Sequence, residues 1–143
     1  MAQELGRKAL IGLACASAVL AAACASIAPP MQANLAGTRW TVQTIDGERA
    51  GAIRAPTVIF GADRRVSGSA SCNSYFGTYS THDGEIDVRS LGRTEMACEQ
   101  ALMRQEEAFI GALDAATRYV VESNGRLMLY GPNERSLTLV RVG

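Results

Sequence analysis

Short stretches in which apolar and polar residues alternate, separated by turn residues, fill most of the chain after residue 34. In residues 85–89, Ile86 and Val88 alternate with charged residues, which is typical of a strand with one buried face. Asp83-Gly84, just before them, predicts a tight hairpin turn. Similar patterns predict further strands at residues 39–45, 56–60, 66–70, 77–81, 119–122, 126–130 and 136–142.

Residues 98–116 change to a helical period. Their apolar side chains share one stripe, which contains Leu102, Phe109, Leu113 and Ala116. Glu106 lies at the edge of this stripe, where a carboxylate needs hydrogen-bond partners. We expect it either to bond to turn amides near Cys72 and Asn73 or to mark a pocket. About eight strands and one helix predict an α+β domain, with a curved, barrel-like antiparallel sheet and the helix packed on it.

The N-terminal segment differs from the rest of the chain. Arg7 and Lys8 precede an uncharged stretch, residues 9–23, that ends in small residues before Cys24. This order is typical of a secretory signal. It resembles a bacterial lipoprotein signal, in which Cys24 is acylated and becomes the mature N-terminus. An ordinary signal cleaved near residue 23 or 25 is the main alternative, and the stretch is shorter than the roughly 20 apolar residues of a membrane-spanning helix.

The chain therefore divides into a signal (residues 1–23), a tether (residues 24–34) and one domain (residues 35–143). Pro29-Pro30 lies in the tether, and proline-rich segments are extended, so ten residues reach about 30 Å from the bilayer. Cys15 is a poorer acylation site than Cys24, because the uncharged stretch between it and Lys8 is short.

Removal of the signal leaves enough residues for one domain with its own core. It also leaves 12 basic and 13 acidic residues, and all the basic ones are scattered arginines. Nucleic-acid binding needs a basic patch, so we expect no nucleic-acid partner. Two further cysteines and one histidine, His82, fall short of a four-ligand zinc site. The sequence predicts no metal and no cofactor.

Cys72 and Cys98 are the cysteines that remain if Cys24 carries lipid. Disulfides persist in exported proteins, so a Cys72–Cys98 bridge is the favoured interpretation. Two buried free thiols, packed as small hydrophobic groups, are the alternative.

Three phrases, residues 37–40, 68–79 and 94–98, occur in order, and a Glu-Glu pair follows them. Their distinctive residues are Trp40, Gly68, Cys72, Asn73, Tyr75, Gly77, Thr94, Met96, Cys98 and Glu106. This set resembles the META domain, or HslJ-like family, over about residues 35–142. One departure is Ser71, where the family often has glycine before its Cys-Asn pair. The resemblance implies a compact, commonly exported α+β domain associated with envelope stress or antibiotic tolerance, with no established catalytic residues.

The residues of these phrases also have a structural interpretation. Gly68 and Gly77 lie inside strand patterns, where glycine indicates a bulge or a bend. Asn73 can cap a turn through its side chain. We expect Tyr75 and Tyr79 to pack beside the cysteines.

We therefore expect a non-enzymatic, lipid-anchored envelope protein that binds a partner, because the sequence has no recognisable nucleophile elbow or phosphate loop. Ala25-Ser26 lacks the aspartate that retains many lipoproteins at the inner membrane, so a Gram-negative host would place it in the outer membrane, facing the periplasm. The alternative is a small carrier that holds a lipid or another apolar ligand inside its curved sheet. Its candidate lining residues are Trp40, Phe60, Tyr75 and Tyr79.

Overall fold

The computed structural model describes residues 33–143. The predicted signal, Cys24 and nearly the whole tether lie outside the described residues. The elements follow in this order: β1 Thr38–Ile45, β2 Glu48–Arg49, a 3-10 turn Ala52–Arg54, β3 Thr57–Phe60, β4 Arg65–Ser69, β5 Ser74–His82, β6 Glu85–Arg93, α1 Gln100–Asp114, β7 Arg118–Val121, β8 Leu127–Tyr130 and β9 Ser136–Arg141.

Eight of these strands form a closed antiparallel barrel, in the order β1-β3-β4-β5-β6-β7-β8-β9, and β9 pairs with β1 to close it. This confirms the predicted curved sheet with a single packed helix. The short strand β2 extends the sheet beside the second half of β1, beyond the residues that pair with β3. It was not predicted, because its two residues are both exposed and give no alternating pattern.

The seam between β6 and β7 is staggered. The two strands are in register only at Glu85 and Arg118, and the flanking backbone bonds run from Ile86 N to Thr117 O and from Tyr119 N to Gly84 O. Such a stagger accompanies the strand tilt that closes a small barrel. Strand β6 also contacts helix α1.

The hairpin predicted at Asp83-Gly84 is confirmed. His82 pairs with Glu85 across a two-residue turn. Both turn residues have positive φ, 47° at Asp83 and 81° at Gly84, as a type I′ turn requires. Strand β5 begins three residues before the predicted segment and β6 ends four residues after it, because the apolar alternation is lost where the two strands pass a bulge.

The barrel is filled by the inward side chains of its strands and by one face of α1. The largest buried side chains include Tyr75, Phe60, Phe109, Leu35, Leu113, Leu127, Leu129, Leu137 and Leu139. Burial of these groups is the main source of stability, at roughly 1.5–3 kcal/mol for each fully buried large apolar side chain.

The barrel has two different ends. At the tether end, where β1 begins, Leu35 is buried and the Tyr119 hydroxyl donates a 3.3 Å hydrogen bond to Ala33 O. At the helix end, α1 contacts the loops that connect the strands. There Gln105 Oε1 accepts a 2.6 Å bond from the Gly51 amide. The chain therefore enters the barrel at the end opposite to the one that α1 covers.

Candidate functional site

A buried polar cluster lies at the helix end, where β5 begins and the second turn of α1 passes over it. Asn73 and Glu106 are its centre, and they are only 2 % and 1 % exposed. Asn73 directly precedes β5, and Glu106 is on the inward face of α1 beside Phe109. Polar side chains this deeply buried need hydrogen-bond partners, so their contacts define the site.

Both carboxylate oxygens of Glu106 accept hydrogen bonds from Asn73. Oε2 accepts from the Asn73 backbone amide at 2.7 Å, and Oε1 accepts from Nδ2 at 2.9 Å. Arg93 Nη1 lies 3.5 Å from Glu106 Oε1 and 3.1 Å from Glu107 Oε2. Glu106 therefore bonds to a turn amide beside Cys72, which was one of its two predicted environments.

Asn73 also fixes the loop that leads into α1. Its Oδ1 accepts hydrogen bonds from the Met96 amide at 2.7 Å and from Thr94 Oγ1 at 2.9 Å. Its Nδ2 donates to Met96 O at 3.2 Å as well as to Glu106. The amide orientation is therefore determined, because exchanging its oxygen and nitrogen would turn a donor toward the Met96 amide. One side chain thus joins β5, the loop and the helix.

A disulfide joins Cys72 to Cys98, with their Cα atoms 5.9 Å apart. This confirms the favoured interpretation of the two cysteines. The bridge is adjacent in sequence to Asn73 on one side and lies between Met96 and α1 on the other. The same two segments are therefore held together both covalently and by hydrogen bonds.

Ser71 occupies the position where the family often has glycine, and its φ of 100° explains that preference. The strained turn is held by Gln105, whose Nε2 donates to Ser71 Oγ at 2.7 Å and to Arg54 O at 3.0 Å. Gln105 was not singled out in the sequence, because it lies outside the apolar stripe. Its position beside Glu106 on the same helix was the signal that could have identified it.

The two motif glycines have different roles. An added Cβ at Gly68 would lie 2.1 Å from Thr57 O, so this glycine permits the close approach of β3. Gly68 pairs with Tyr75 of β5 in regular register, so it does not form a bulge. Gly77 lies at a register shift between β5 and β6, between Phe76 and Thr78, which is the predicted bulge. The bulge prediction therefore holds at Gly77, whereas Gly68 serves a close backbone contact.

The motif aromatics are buried and hydrogen-bonded. Tyr75 packs edge-on against Phe109, with ring centroids 5.4 Å apart, and donates to Thr57 O at 2.9 Å. Burial raises the pKa of the Tyr75 hydroxyl above its usual value. Trp40 Nε1 donates to Thr38 Oγ1 at 2.7 Å. These contacts place both aromatics in the core.

Tyr79 does not lie beside the cysteines. It packs edge-on against Phe60, with ring centroids 4.9 Å apart, and donates to Gly61 O at 2.9 Å, at the tether end. It lies four positions after Tyr75 in β5, a distance of about 13 Å along the strand. Burial and the nearby negative charge of Asp63 raise the pKa of Tyr79.

A surface cavity of about 320 Å³ opens beside the polar cluster. We call it the methionine hollow, because the exposed side chains of Met96 and Met103 border it. It is lined by Asn73, Arg93, Thr94, Glu95, Met96, Ala97, Met103 and Glu106. Met96 is 57 % exposed and Met103 is 37 % exposed. Glu106 is part of the wall of this cavity, although its carboxylate is buried and bonded to the turn.

The polar groups at the centre of this site are engaged with one another. The Asn73 and Glu106 side chains are engaged with each other and with the loop, so their polar atoms already have partners. Within residues 33–143, no group of three or more histidine, cysteine, aspartate or glutamate side chains is arranged to hold a metal ion. In the same part of the chain, neither helical segment has the length and hydropathy to cross a membrane.

Solved structures share this fold. An NMR structure of a protein from Burkholderia xenovorans is 26 % identical, with a TM-score of 0.64, over 76 % of this chain and 83 % of that one. A second NMR structure is 23 % identical, with a TM-score of 0.59, over 73 % and 88 % of the two chains. A DUF4847 family protein from Bacteroides vulgatus is 18 % identical, with a TM-score of 0.53, over 73 % and 92 %.

No curated protein matches the chain at a significant level. The family comparison does give a match, because the META domain model covers residues 33–142, which include the whole barrel, the helix and the Asn73–Glu106 cluster. The chain therefore belongs to the META domain family.

Proposed function

We propose that this protein is a non-enzymatic, lipid-anchored domain of the cell envelope that binds a partner protein through the helix end of its barrel. Acylation of Cys24 would attach it to the outer membrane, and residues 24–34 would connect the anchor to the barrel. Two or more acyl chains give stable attachment. The family's association with stress and antibiotic tolerance supports a role under envelope stress.

The observation that supports this proposal is the contrast between the buried cluster and its rim. Glu106 and Asn73 are hydrogen-bonded to each other, which favours a structural role for these polar groups over acid–base catalysis. Met96 and Met103, directly beside them, are exposed. Methionine is enriched at protein interfaces, where its flexible side chain adapts to a partner.

The carrier alternative has less support. The four aromatic residues that would line a ligand cavity are Trp40, Phe60, Tyr75 and Tyr79, and each is at most 7 % exposed. Phe60 packs against Tyr79, and Tyr75 packs against Phe109. The polar atoms of Trp40, Tyr75 and Tyr79 are hydrogen-bonded within the domain. These side chains use the space that an apolar ligand would need.

The anchor is tested by native mass spectrometry of the full chain, expressed with its own signal and purified from the envelope. We expect a mass that corresponds to acylated Cys24 and an oxidised Cys72–Cys98 bridge. A Cys24→Ala variant should lose both the acyl chains and the membrane association. A mass without acyl chains would overturn the anchoring, and an additional apolar ligand would favour the carrier.

The binding face is tested by photo-crosslinking in cells. A photoreactive amino acid at Met103 should give a discrete adduct with one envelope protein. The matched control is Val120, which is 45 % exposed on β7. Equal crosslinking from the two positions would contradict a binding face at the helix end.

A further inference from the structure

The methionine hollow carries an excess of negative charge. Glu95 and Glu106 line it, and Glu107 is held beside it by Arg93. Arg93 is the one basic residue among the lining side chains, and it is already engaged with both Glu106 and Glu107. The lining therefore has two acidic groups and one basic group, and Glu107 adds a third acidic group beside Arg93. Such a surface attracts a cationic group and repels an anionic one.

The walls of the hollow suit a long aliphatic chain. Met96 and Met103 supply two thioether side chains, and Ala97 adds a small apolar surface. The volume of about 320 Å³ is at the lower limit of small-molecule sites, which indicates one inserted side chain. Lysine and arginine bury their aliphatic stems against apolar surface while their charged ends remain near water or a carboxylate.

The hollow is preformed. The Met96 backbone is fixed by Asn73 through both its amide and its carbonyl. Cys98, two residues later, is fixed by the disulfide to Cys72. Met103 projects from the first turns of α1. A site that is already ordered loses less conformational entropy when it is occupied.

The hollow also lies at the end of the barrel away from the tether. Ala33 and Leu35 pack at the tether end, whereas Met96 and Met103 are at the helix end. An anchored barrel can therefore present the hollow away from the bilayer that holds it. This position favours a protein partner over the lipid surface of the same membrane.

We propose that the methionine hollow receives a lysine or arginine side chain of a partner protein. The aliphatic stem lies between Met96 and Met103, and the cationic end is near Glu95. This assignment rests on the proposed function as an interaction module and adds the chemical class of the residue that the module recognises.

The test is a methyl NMR titration of the full chain, purified from the envelope in neutral detergent micelles. The probe is a capped glycine-lysine-glycine tripeptide, and the observed signals are the ¹³C-labelled methionine methyl groups. We expect saturable shifts of the Met96 and Met103 methyl signals, with a Kd on the order of millimolar, because only one side chain of the peptide binds. Met128, on β8, is the internal control and should not shift.

Two matched peptides and two variants sharpen the test. Replacing lysine by norleucine in the peptide should raise the Kd by about two- to fivefold. The Glu95→Gln variant should raise it by a similar factor, because each change removes the exposed charge interaction between lysine and Glu95. Glu122→Gln, at the turn after β7, should leave the Kd unchanged. Equal shifts with a glutamate tripeptide, or no shift of Met96 and Met103 with the lysine tripeptide, would overturn the assignment. Either result would leave the acylation and crosslinking tests of the proposed function unaffected.

Discussion

Replacing Glu106 with glutamine removes one hydrogen-bond acceptor from the centre of the buried cluster and leaves its shape almost unchanged. Both carboxylate oxygens accept from Asn73, one from the backbone amide and one from Nδ2. A glutamine side chain has one oxygen and one NH₂ group, so its NH₂ group must face either the Asn73 backbone amide or Asn73 Nδ2, which are both donors. Neither orientation of the new amide avoids the conflict.

Asn73 cannot relieve the conflict by rotating its own amide. Its Oδ1 already accepts from Met96 N and Thr94 Oγ1. Glu106→Gln therefore loses one charge-assisted hydrogen bond and leaves one buried donor without an acceptor. We expect the free energy of unfolding to fall by about 2–3 kcal/mol.

The assay is urea unfolding of the oxidised protein, followed by far-UV circular dichroism and analysed by linear extrapolation. The control is Glu107→Gln, because Glu107 is the next residue and also pairs with Arg93, but its side chain is 75 % exposed. An exposed ion pair contributes at most about 1 kcal/mol. If the two variants lose the same small amount of stability, with unchanged m-values, the buried cluster does not stabilise the fold as we argue.

Three further predictions concern the same region. Removal of the disulfide by Cys72→Ser with Cys98→Ser should lower the free energy of unfolding by about 3.5 kcal/mol, from the entropy of a loop with a sequence separation of 26, measured by urea unfolding. Because burial raises the pKa of Tyr75, its hydroxyl loses a proton at a lower pH in the unfolded chain than in the folded protein. The free energy of unfolding should therefore fall as the pH rises above about 10, by up to about 1.4 kcal/mol per pH unit. Tyr75→Phe should reduce that slope in thermal melts between pH 9 and about 11. Gly68→Ala should cost at least about 2 kcal/mol, because its Cβ would overlap Thr57 O.

Each of these predictions has a contradicting result. Equal midpoints for the oxidised protein and the double serine variant would show that the bridge adds no stability. An alkaline slope that is identical in wild type and Tyr75→Phe would assign the pH dependence to other groups. A Gly68→Ala variant as stable as the wild type would mean that β3 and β4 can separate without cost.

The pattern of apolar and polar residues along the chain was sufficient to predict the architecture of the domain. Alternating or short apolar segments between turn residues predicted the eight barrel strands, and a helical period predicted α1, because both periods follow directly from backbone geometry. The strand ends were less predictable. In β6, Ser90 has a φ of 55° and the register shifts opposite Gly77, so the side chains stop alternating before the strand ends. The two residues of β2 are both exposed, so no apolar pattern in the sequence predicted this strand.

The sequence by itself determined the class of fold, the family and the one pair of cysteines available for a bridge within the domain. It also identified Glu106 as a carboxylate that requires partners, because it lies at the edge of an apolar stripe, and Asn73 as a residue that can cap a turn. Only the tertiary structure decided which partners they have. Asn73, Met96 and Glu106 are separated by up to 33 residues along the chain, and closure of the barrel brings them together. The acidic excess and the two exposed methionines of the hollow arise in the same way, since a surface depends on which loops meet at one end of the barrel.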